Sequence, residues 1–197
     1  MRLLLTSLAA LTLFAASASA DPNWEKTLGE LQMSVKGETL YMNGGLDSYS
    51  TEQVARILDE NPQIKTAVLL DMPGTDDVDA TLETGMLLNR AGIKTYLTSH
   101  SSIASGAVDL FCAGVEREVE PGAQIGIHTW YNDDGTEGRF LSQDDPEHDT
   151  QLKFLSKTGC SVGLYWFSLR AASPNDIHWM TKDEMESYSV VTKFVGK

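Results

Sequence analysis

The sequence predicts an α/β domain built on a mainly parallel sheet. Short apolar runs typical of strands alternate with amphipathic segments typical of helices between residues 39 and 128. The run at residues 66–70 is almost continuously apolar, as expected of a strand that is covered on both faces. A length of 197 residues allows one domain with a sizeable core and is too short for two ordinary domains. A repeated strand and helix order of this kind predicts parallel strands joined by right-handed crossovers.

The first twenty residues have the pattern of a cleaved export signal. Arg2 supplies a positive start, residues 3–16 are mostly apolar, and residues 18–20 form a small-x-small cleavage site. The apolar run is shorter than the roughly 20 residues that span a bilayer. We therefore expect a signal peptide at residues 1–20, a single domain at residues 21–197, and a periplasmic or secreted location.

The first half of the domain predicts two strands, each followed by a helix. Residues 39–42 read as a strand that ends in an Asn-Gly-Gly turn, and Ser50 reads as the cap of a helix over residues 50–58. Residues 66–70 read as the next strand, followed by a turn at residues 71–74. The helix expected at residues 79–90 places Leu82, Met86 and Leu87, with Ala80, on one face.

The second half continues the same alternation. Residues 94–97 predict a strand, and we expect a serine-rich turn and a helix over residues 105–113 to follow it. Residues 124–128 predict another strand. The apolar residues within 160–172 indicate a helix that is either buried or faces another subunit.

The charge balance disfavours two classes of partner. The chain has 28 Asp and Glu against 15 Lys and Arg, a formal net charge of −13. A nucleic-acid surface needs clustered cations, and so does binding to anionic lipid. We expect no nucleic-acid partner and, after signal cleavage, no membrane partner.

The cysteines and histidines give no pattern that is typical of a metal or cofactor site. No His and Cys spacing indicates zinc, and the acidic segment around His148 lacks the ligand pattern of a calcium loop, so we expect a solvated loop there and no cofactor. Cys112 and Cys160 allow two interpretations. They could form a disulfide in an oxidising compartment, or Cys112 could be a small buried side chain within an apolar run.

Two residues suggest nucleophilic chemistry. Ser105 lies between a predicted strand and a predicted helix, where unpaired helix amides could stabilise an oxyanion. His128 ends the following strand, so both side chains could lie at one edge of the sheet. The alternatives are that Ser105 only caps the helix and that His128 is a structural residue. Asp109, on the same helix face as Ser105, is expected to pair with a basic or hydroxyl group.

Five segments, in order along the chain, resemble a known family. Residues 103–114 (IASGAVDLFCAG) resemble the nucleophile segment of Clp-type serine peptidases, and residues 120–128 (EPGAQIGIH) are similar to that family's strand with the catalytic histidine. Residues 40–44, 72–74 and 179–185 are similar to its first strand, its oxyanion loop and its last short helix. The resemblance spans residues 40–191 and implies the ClpP/crotonase fold, a spiral of repeated β-β-α units with a mainly parallel sheet.

The resemblance also implies roles for individual residues. Ser105 corresponds to the nucleophile and His128 to the general base, while the amides of Gly74 and Gly106 correspond to the oxyanion hole. Asp176 is the candidate for the carboxylate that orients the histidine.

Two residues depart from the family pattern. Thr75 replaces the second glycine of the oxyanion loop, which narrows the approach to the oxyanion. The alignment puts Ile177 where the orienting aspartate belongs and Asp176 one residue early. Asp176 could serve after a loop shift, or the site could work as a Ser-His dyad.

The function implied by the resemblance is an exported serine hydrolase, a peptidase that acts on peptides or unfolded chains through an acyl-enzyme. The alternative is a catalytically inactive Clp-fold protein that binds peptides or assembles with partners. An acyl-CoA enzyme of the crotonase type is disfavoured because export removes the chain from the usual CoA pool. We expect a homo-oligomer and no ATPase partner. The polar segment at residues 131–149 is unlike the handle helix of the processive proteases, so their barrel assembly is not expected.

Overall fold

A computed structural model describes residues 31–132 and 134–196. The predicted signal peptide lies outside these residues. The described strands are β1 (Gln32–Lys36), β2 (Thr39–Asn43), β3 (Thr66–Met72), β4 (Lys94–Ala104), β5 (Arg117–Val119), β6 (Gln124–Ile127), β7 (His178–Trp179) and β8 (Lys193–Phe194). The described helices are α1 (Ser50–Glu60), α2 (Val78–Arg90), α3 (Gly106–Cys112), α4 (Asp149–Thr158), α5 (Val162–Ala171) and α6 (Lys182–Ser187), with short 3₁₀ turns at Gly138–Phe140 and Pro146–His148.

The described strands form one mixed, mainly parallel sheet, as the sequence predicts. Its main path is β1-β2-β3-β4-β5-β8, with β6 pairing to β4 and β7 pairing to β6. Strand β1 is antiparallel to β2 and β7 is antiparallel to β6, whereas the other pairs are parallel. The helices follow the strands in the predicted alternation, so the carboxyl ends of β3, β4 and β6 come together.

Strand β4 is longer than predicted, and the expected serine-rich turn after residue 97 is wrong. The strand pairs first with β5 through Thr95–Leu97 and then with β6 through Ser102–Ala104. Its register against β3 shifts between Leu69 and Asp71. At this irregularity the Ser101 hydroxyl donates to the Leu69 carbonyl at 2.6 Å and accepts from the Thr98 amide at 2.9 Å. Serine therefore satisfies backbone groups where the regular ladder is interrupted, which lets the strand continue.

The start of α1 also differs from the prediction. Ser50 is the first residue of the helix rather than its cap, and the capping position is occupied by Tyr49. The Ser50 hydroxyl instead accepts from the Asp47 amide at 2.9 Å and lies 3.2 Å from the Asp47 carboxylate. The side chain thus stabilises the turn before the helix.

A disulfide joins Cys112 to Cys160, which decides between the two interpretations of the cysteines. It links the end of α3 to the residues just before α5 and closes a loop with a sequence separation of 48. In the chain-entropy model a loop of this length stabilises the fold by about 4 kcal/mol.

Helix α5 confirms the helix expected within residues 160–172. Leu164, Tyr165 and Leu169 are buried in the core, whereas Val162 is exposed. The described residues include no helix that is long and apolar enough to cross a membrane.

Candidate active site

Ser105 occupies a strained turn between β4 and α3. Its φ is 55° and its ψ is −132°, a backbone conformation that residues other than glycine rarely adopt. The Ser105 amide donates to the Gly126 carbonyl at 3.0 Å, and its carbonyl accepts from the Val108 amide at 2.8 Å. Ser105 occupies the capping position of α3, but its side chain makes no capping hydrogen bond. The residue lines a pocket of about 690 Å³.

Two glycines allow the backbone to come close to this serine. Gly74 has a φ of 141°, and a Cβ added there would lie 2.9 Å from the Ser105 Cβ and 3.4 Å from its Oγ. A Cβ added to Gly106 would lie 2.3 Å from the Thr75 Cγ2. Both positions therefore need glycine if the loop after β3 is to pack against the turn before α3.

The amides of these glycines are available to an oxyanion. Neither N–H donates a hydrogen bond to another group in the described part of the chain. Gly106 is the first residue of α3, where helix amides have no acceptor within the helix. Gly74 lies against Ser105 and Gly106 follows it in the chain, so their N–H groups remain the candidate oxyanion donors.

Thr75 is fixed by its hydroxyl. Its Oγ1 donates to the Asp77 carbonyl at 2.8 Å and accepts from the Asp77 amide at 2.9 Å and from the Thr81 hydroxyl at 2.7 Å. The methyl group then lies against Gly106. The threonine that departs from the family pattern thus links the oxyanion loop to the first turn of α2.

His128 follows β6 and lines the same pocket as Ser105. The imidazole is about half buried, and desolvation lowers its pKa below the usual value, with a smaller opposing effect from a hydrogen bond to the Thr129 backbone. A lowered pKa keeps the ring neutral near pH 7, as a general base requires. No hydrogen bond joins the Ser105 hydroxyl to His128 among the described residues.

The third position of the site is apolar. Strands β6 and β7 pair Gly126 with Trp179 and Ile127 with His178. Extending this register by one residue, beyond the paired strands, puts Ile177 opposite His128, and a Cβ added to Gly126 would lie 2.5 Å from the Ile177 Cγ2. The His128 Nδ1 is buried and has no hydrogen-bond partner in the described structure. The structure therefore does not join Asp176 to His128.

Asp176 is exposed at the pocket wall, and its carboxylate makes a local hydrogen bond. Its Oδ1 accepts from the Ile177 amide at 2.8 Å. Asp176 and Ile177 precede β7, so this loop must shift by one residue before the carboxylate could replace Ile177.

Asp109 lines the pocket one helical turn after Ser105. Its Oδ2 accepts from the Gln151 side-chain amide at 3.1 Å, so the expected basic or hydroxyl partner is wrong. Burial raises the pKa of Asp109 to about 6, and the hydrogen bond from Gln151 opposes this shift. The pocket lining thus includes the Asp109 carboxylate, hydrogen-bonded to the Gln151 side-chain amide.

His148 was expected in a solvated loop, but its side chain is buried. Its Nδ1 lies 2.6 Å from the Tyr165 hydroxyl and its Nε2 lies 3.0 Å from the Ser142 carbonyl. Since a carbonyl only accepts, Nε2 carries the proton and Nδ1 accepts from Tyr165. The Tyr165 oxygen in turn accepts from the Trp130 Nε1 at 2.8 Å. The acidic residues around His148 in the sequence gave no indication of this network. Its members Trp130 and Tyr165 line the pocket.

His100 and His178, the other two histidines of the chain, do not line the pocket. His100 is exposed. His178 lies 3.0 Å from a Glu184 carboxylate oxygen and so joins β7 to α6, while Trp179 is 44% exposed. No group of three or more potential metal ligands occurs among the described residues.

Comparisons with known proteins identify the fold. No family model and no curated protein matches the chain. Among solved structures, a mutant of the 1510-N membrane-bound stomatin-specific protease is similar at a TM-score of 0.55 and 16% identity, covering 82% of this chain and 81% of that one. An enoyl-CoA hydratase from Shewanella pealeana is similar at a TM-score of 0.51 and 11% identity, covering 85% of this chain and 69% of that one. A Pseudomonas aeruginosa protein is similar at a TM-score of 0.53 and 13% identity, covering 86% and 78% of the two chains.

The chain has the ClpP/crotonase fold. The neighbours include both a protease and a hydratase, so the fold alone does not choose an activity. Within this fold, the choice depends on the chemistry of the pocket that contains Ser105 and His128.

Proposed function

We propose that this ClpP/crotonase-fold chain is an exported serine peptidase that cleaves peptides or unfolded chains through an acyl-enzyme. The observation that carries the proposal is the strained Ser105 turn, which has the unpaired amides of Gly74 and Gly106 beside it. His128 lines the same pocket and is held neutral by desolvation. A nucleophile, a base and two oxyanion donors are the groups that acyl transfer requires.

In the proposed mechanism the Ser105 Oγ attacks the substrate carbonyl carbon while His128 accepts the hydroxyl proton. The Gly74 and Gly106 amides donate to the resulting oxyanion, and each such donor is worth about 3 to 4 kcal/mol in other enzymes. His128 then returns the proton to the leaving amine, and water attacks the acyl-enzyme in the second half-reaction. The hydrogen bond between serine and histidine would form when substrate binds, since such contacts often tighten only in the complex.

The proposed site is a Ser-His dyad. Among the described residues no carboxylate accepts from the buried Nδ1 of His128, so the imidazolium that forms during attack lacks the stabilisation that the third member of a triad gives. We therefore expect slow turnover. This same feature favours the second candidate, a Clp-fold protein that binds peptides without cleaving them.

Other parts of the proposal have separate support. The Cys112–Cys160 disulfide supports export, because such bonds persist mainly in oxidising compartments. One structural neighbour, the stomatin-specific protease, was solved in complex with a substrate peptide, which supports peptides as the proposed class of substrate. A homo-oligomer and the absence of an ATPase partner, a nucleic-acid partner and a membrane partner are proposed on the sequence alone.

A fluorophosphonate probe tests the proposal. We expect one probe per chain in the intact mass, mapped to the peptide that contains Ser105. Labelling should disappear in Ser105→Ala, fall in His128→Ala and persist in Ser156→Ala, where an exposed serine outside the pocket is removed. A folded wild-type chain that takes no probe would support the non-catalytic candidate.

A further inference from the structure

The pocket beside Ser105 is lined by acidic side chains, with no lysine or arginine among the described residues of its lining. Its walls include the carboxylates of Asp76, Asp109 and Asp176. Asp76 and Asp176 are exposed, whereas Asp109 is partly buried on α3. A ligand with a positive group would therefore meet an unneutralised carboxylate inside the pocket.

Asp109 keeps one oxygen free for such a ligand. Gln151 donates to Oδ2, while no described residue donates to Oδ1. The Asp109 Oδ1 has no described partner, yet it is not among the buried unpartnered atoms. It is therefore accessible, and Asp109 lines the pocket. The Gln151 amide fixes the carboxylate and leaves its second oxygen available.

The geometry around Asp109 suits a long side chain with an apolar stem. Asp109 lies on α3 four residues after Ser105, and both residues line the same pocket. The lining also has aliphatic side chains, and lysine and arginine side chains bury their methylene stems along such surfaces while the charged end finds a partner. These aliphatic side chains include Val108, Ile127, Leu155 and Leu164.

We propose that Asp109 is a specificity-determining residue that binds a basic side chain, lysine or arginine, at the residue whose carbonyl Ser105 attacks. The ammonium or guanidinium group binds Oδ1, and the stem packs on the aliphatic walls. The inference rests on the proposed function, because attack by Ser105 sets the position of the substrate carbonyl. It extends that function by naming the class of substrate.

Fluorogenic tripeptides that differ only in the residue before the scissile bond test the inference. We expect kcat/KM for lysine and arginine to exceed that for norleucine, an uncharged residue of similar length, by at least tenfold. In Asp109→Asn the ratio of lysine to norleucine should fall at least tenfold, since the amide can still accept from Gln151 but carries no charge. In Asp59→Asn, which removes an exposed carboxylate of α1 far from the pocket lining, the ratio should keep its wild-type value.

A binding measurement separates failure of the inference from failure of the proposed function. Calorimetry with the Ser105→Ala chain should show that acetyl-Ala-Ala-Lys binds at least tenfold more tightly than its norleucine analogue, and the double variant with Asp109→Asn should lose this difference. Cleavage without a preference for basic residues would overturn the inference and leave the peptidase intact. Selective binding without any cleavage would overturn the peptidase and retain Asp109 as a cation site. Equal binding of the two peptides would overturn the inference.

Discussion

Replacing Ile177 by aspartate should convert the dyad into a triad. Extending the register of β6 and β7 by one residue puts Ile177 opposite His128, and directly opposed residues of antiparallel strands have Cβ atoms about 4.5 to 5.5 Å apart. An aspartate at this position could accept from the His128 Nδ1, which is buried and unpartnered in the described structure. The substitution therefore supplies the carboxylate that the alignment places one residue early, at Asp176.

The expected gain follows from the missing hydrogen bond. A buried polar group without a partner costs about 1 to 3 kcal/mol, and each 1.36 kcal/mol removed from a barrier raises the rate about tenfold. We expect Ile177→Asp to accelerate fluorophosphonate labelling of Ser105 about 10- to 100-fold. The new negative charge should also raise the pKa of His128, because a nearby opposite charge favours the imidazolium.

The assay is the second-order rate constant of labelling, with the His128 pKa followed by NMR in the same samples. Ile177→Asn is the matched control, since it provides a similar volume and a hydrogen-bonding group without the charge, and it should fall well short of the aspartate. A folded Ile177→Asp chain with wild-type labelling and an unchanged His128 pKa would refute the assigned register between Ile177 and His128.

Three further predictions concern stability. Reduction of the Cys112–Cys160 disulfide should lower Tm by about 10 °C in a thermal melt, from about 4 kcal/mol at about 2 to 4 °C per kcal/mol, and an unchanged Tm would contradict its proposed role. Thr75→Val should lower the free energy of unfolding, measured in urea, by about 2 kcal/mol because it removes the hydroxyl's hydrogen bonds to Asp77 and Thr81. Thr75→Ser keeps these bonds and should lose much less. Equal losses would show that the methyl group contributes more to stability than the hydroxyl does. Between the ordinary pKa of 3.8 and about 6, the folded state binds a proton at Asp109 that the unfolded state releases, so the free energy of unfolding falls as pH rises through this window. Asp109→Asn should therefore raise Tm at pH 8 and have little effect at pH 4. A change in Tm that is the same at both pH values would contradict the buried carboxylate.

Much of the fold is present in local sequence patterns. The apolar run at residues 66–70 predicts β3 because a strand covered on both faces is continuously apolar. The apolar periodicity of residues 79–90 predicts α2 because one face of a helix is buried. The turn predicted at residues 98–104 is wrong because serine is typical of turns, whereas here it lies in a strand. Only the neighbouring strand shows that the Ser101 hydroxyl satisfies the Leu69 carbonyl.

The site is predictable where it depends on local turns and less so where it depends on distant partners. The candidate site at Ser105 and His128 follows from strand ends that share one edge in a parallel sheet, whereas Gly74 follows only from the family resemblance. His148 was misassigned because its neighbours in sequence are acidic, whereas its partner Tyr165 is 17 residues away. The partner of Asp109, Gln151, is 42 residues away, and no local pattern connects the two.

The central claim is that Ser105 becomes acylated with His128 as the base. Mixing the purified chain with p-nitrophenyl acetate tests it most directly. The account predicts a rapid release of one p-nitrophenol per chain, an added acetyl group on the peptide containing Ser105, no release phase in Ser105→Ala and a much slower one in His128→Ala. A release phase of equal size and rate in the wild type and in Ser105→Ala would contradict the account.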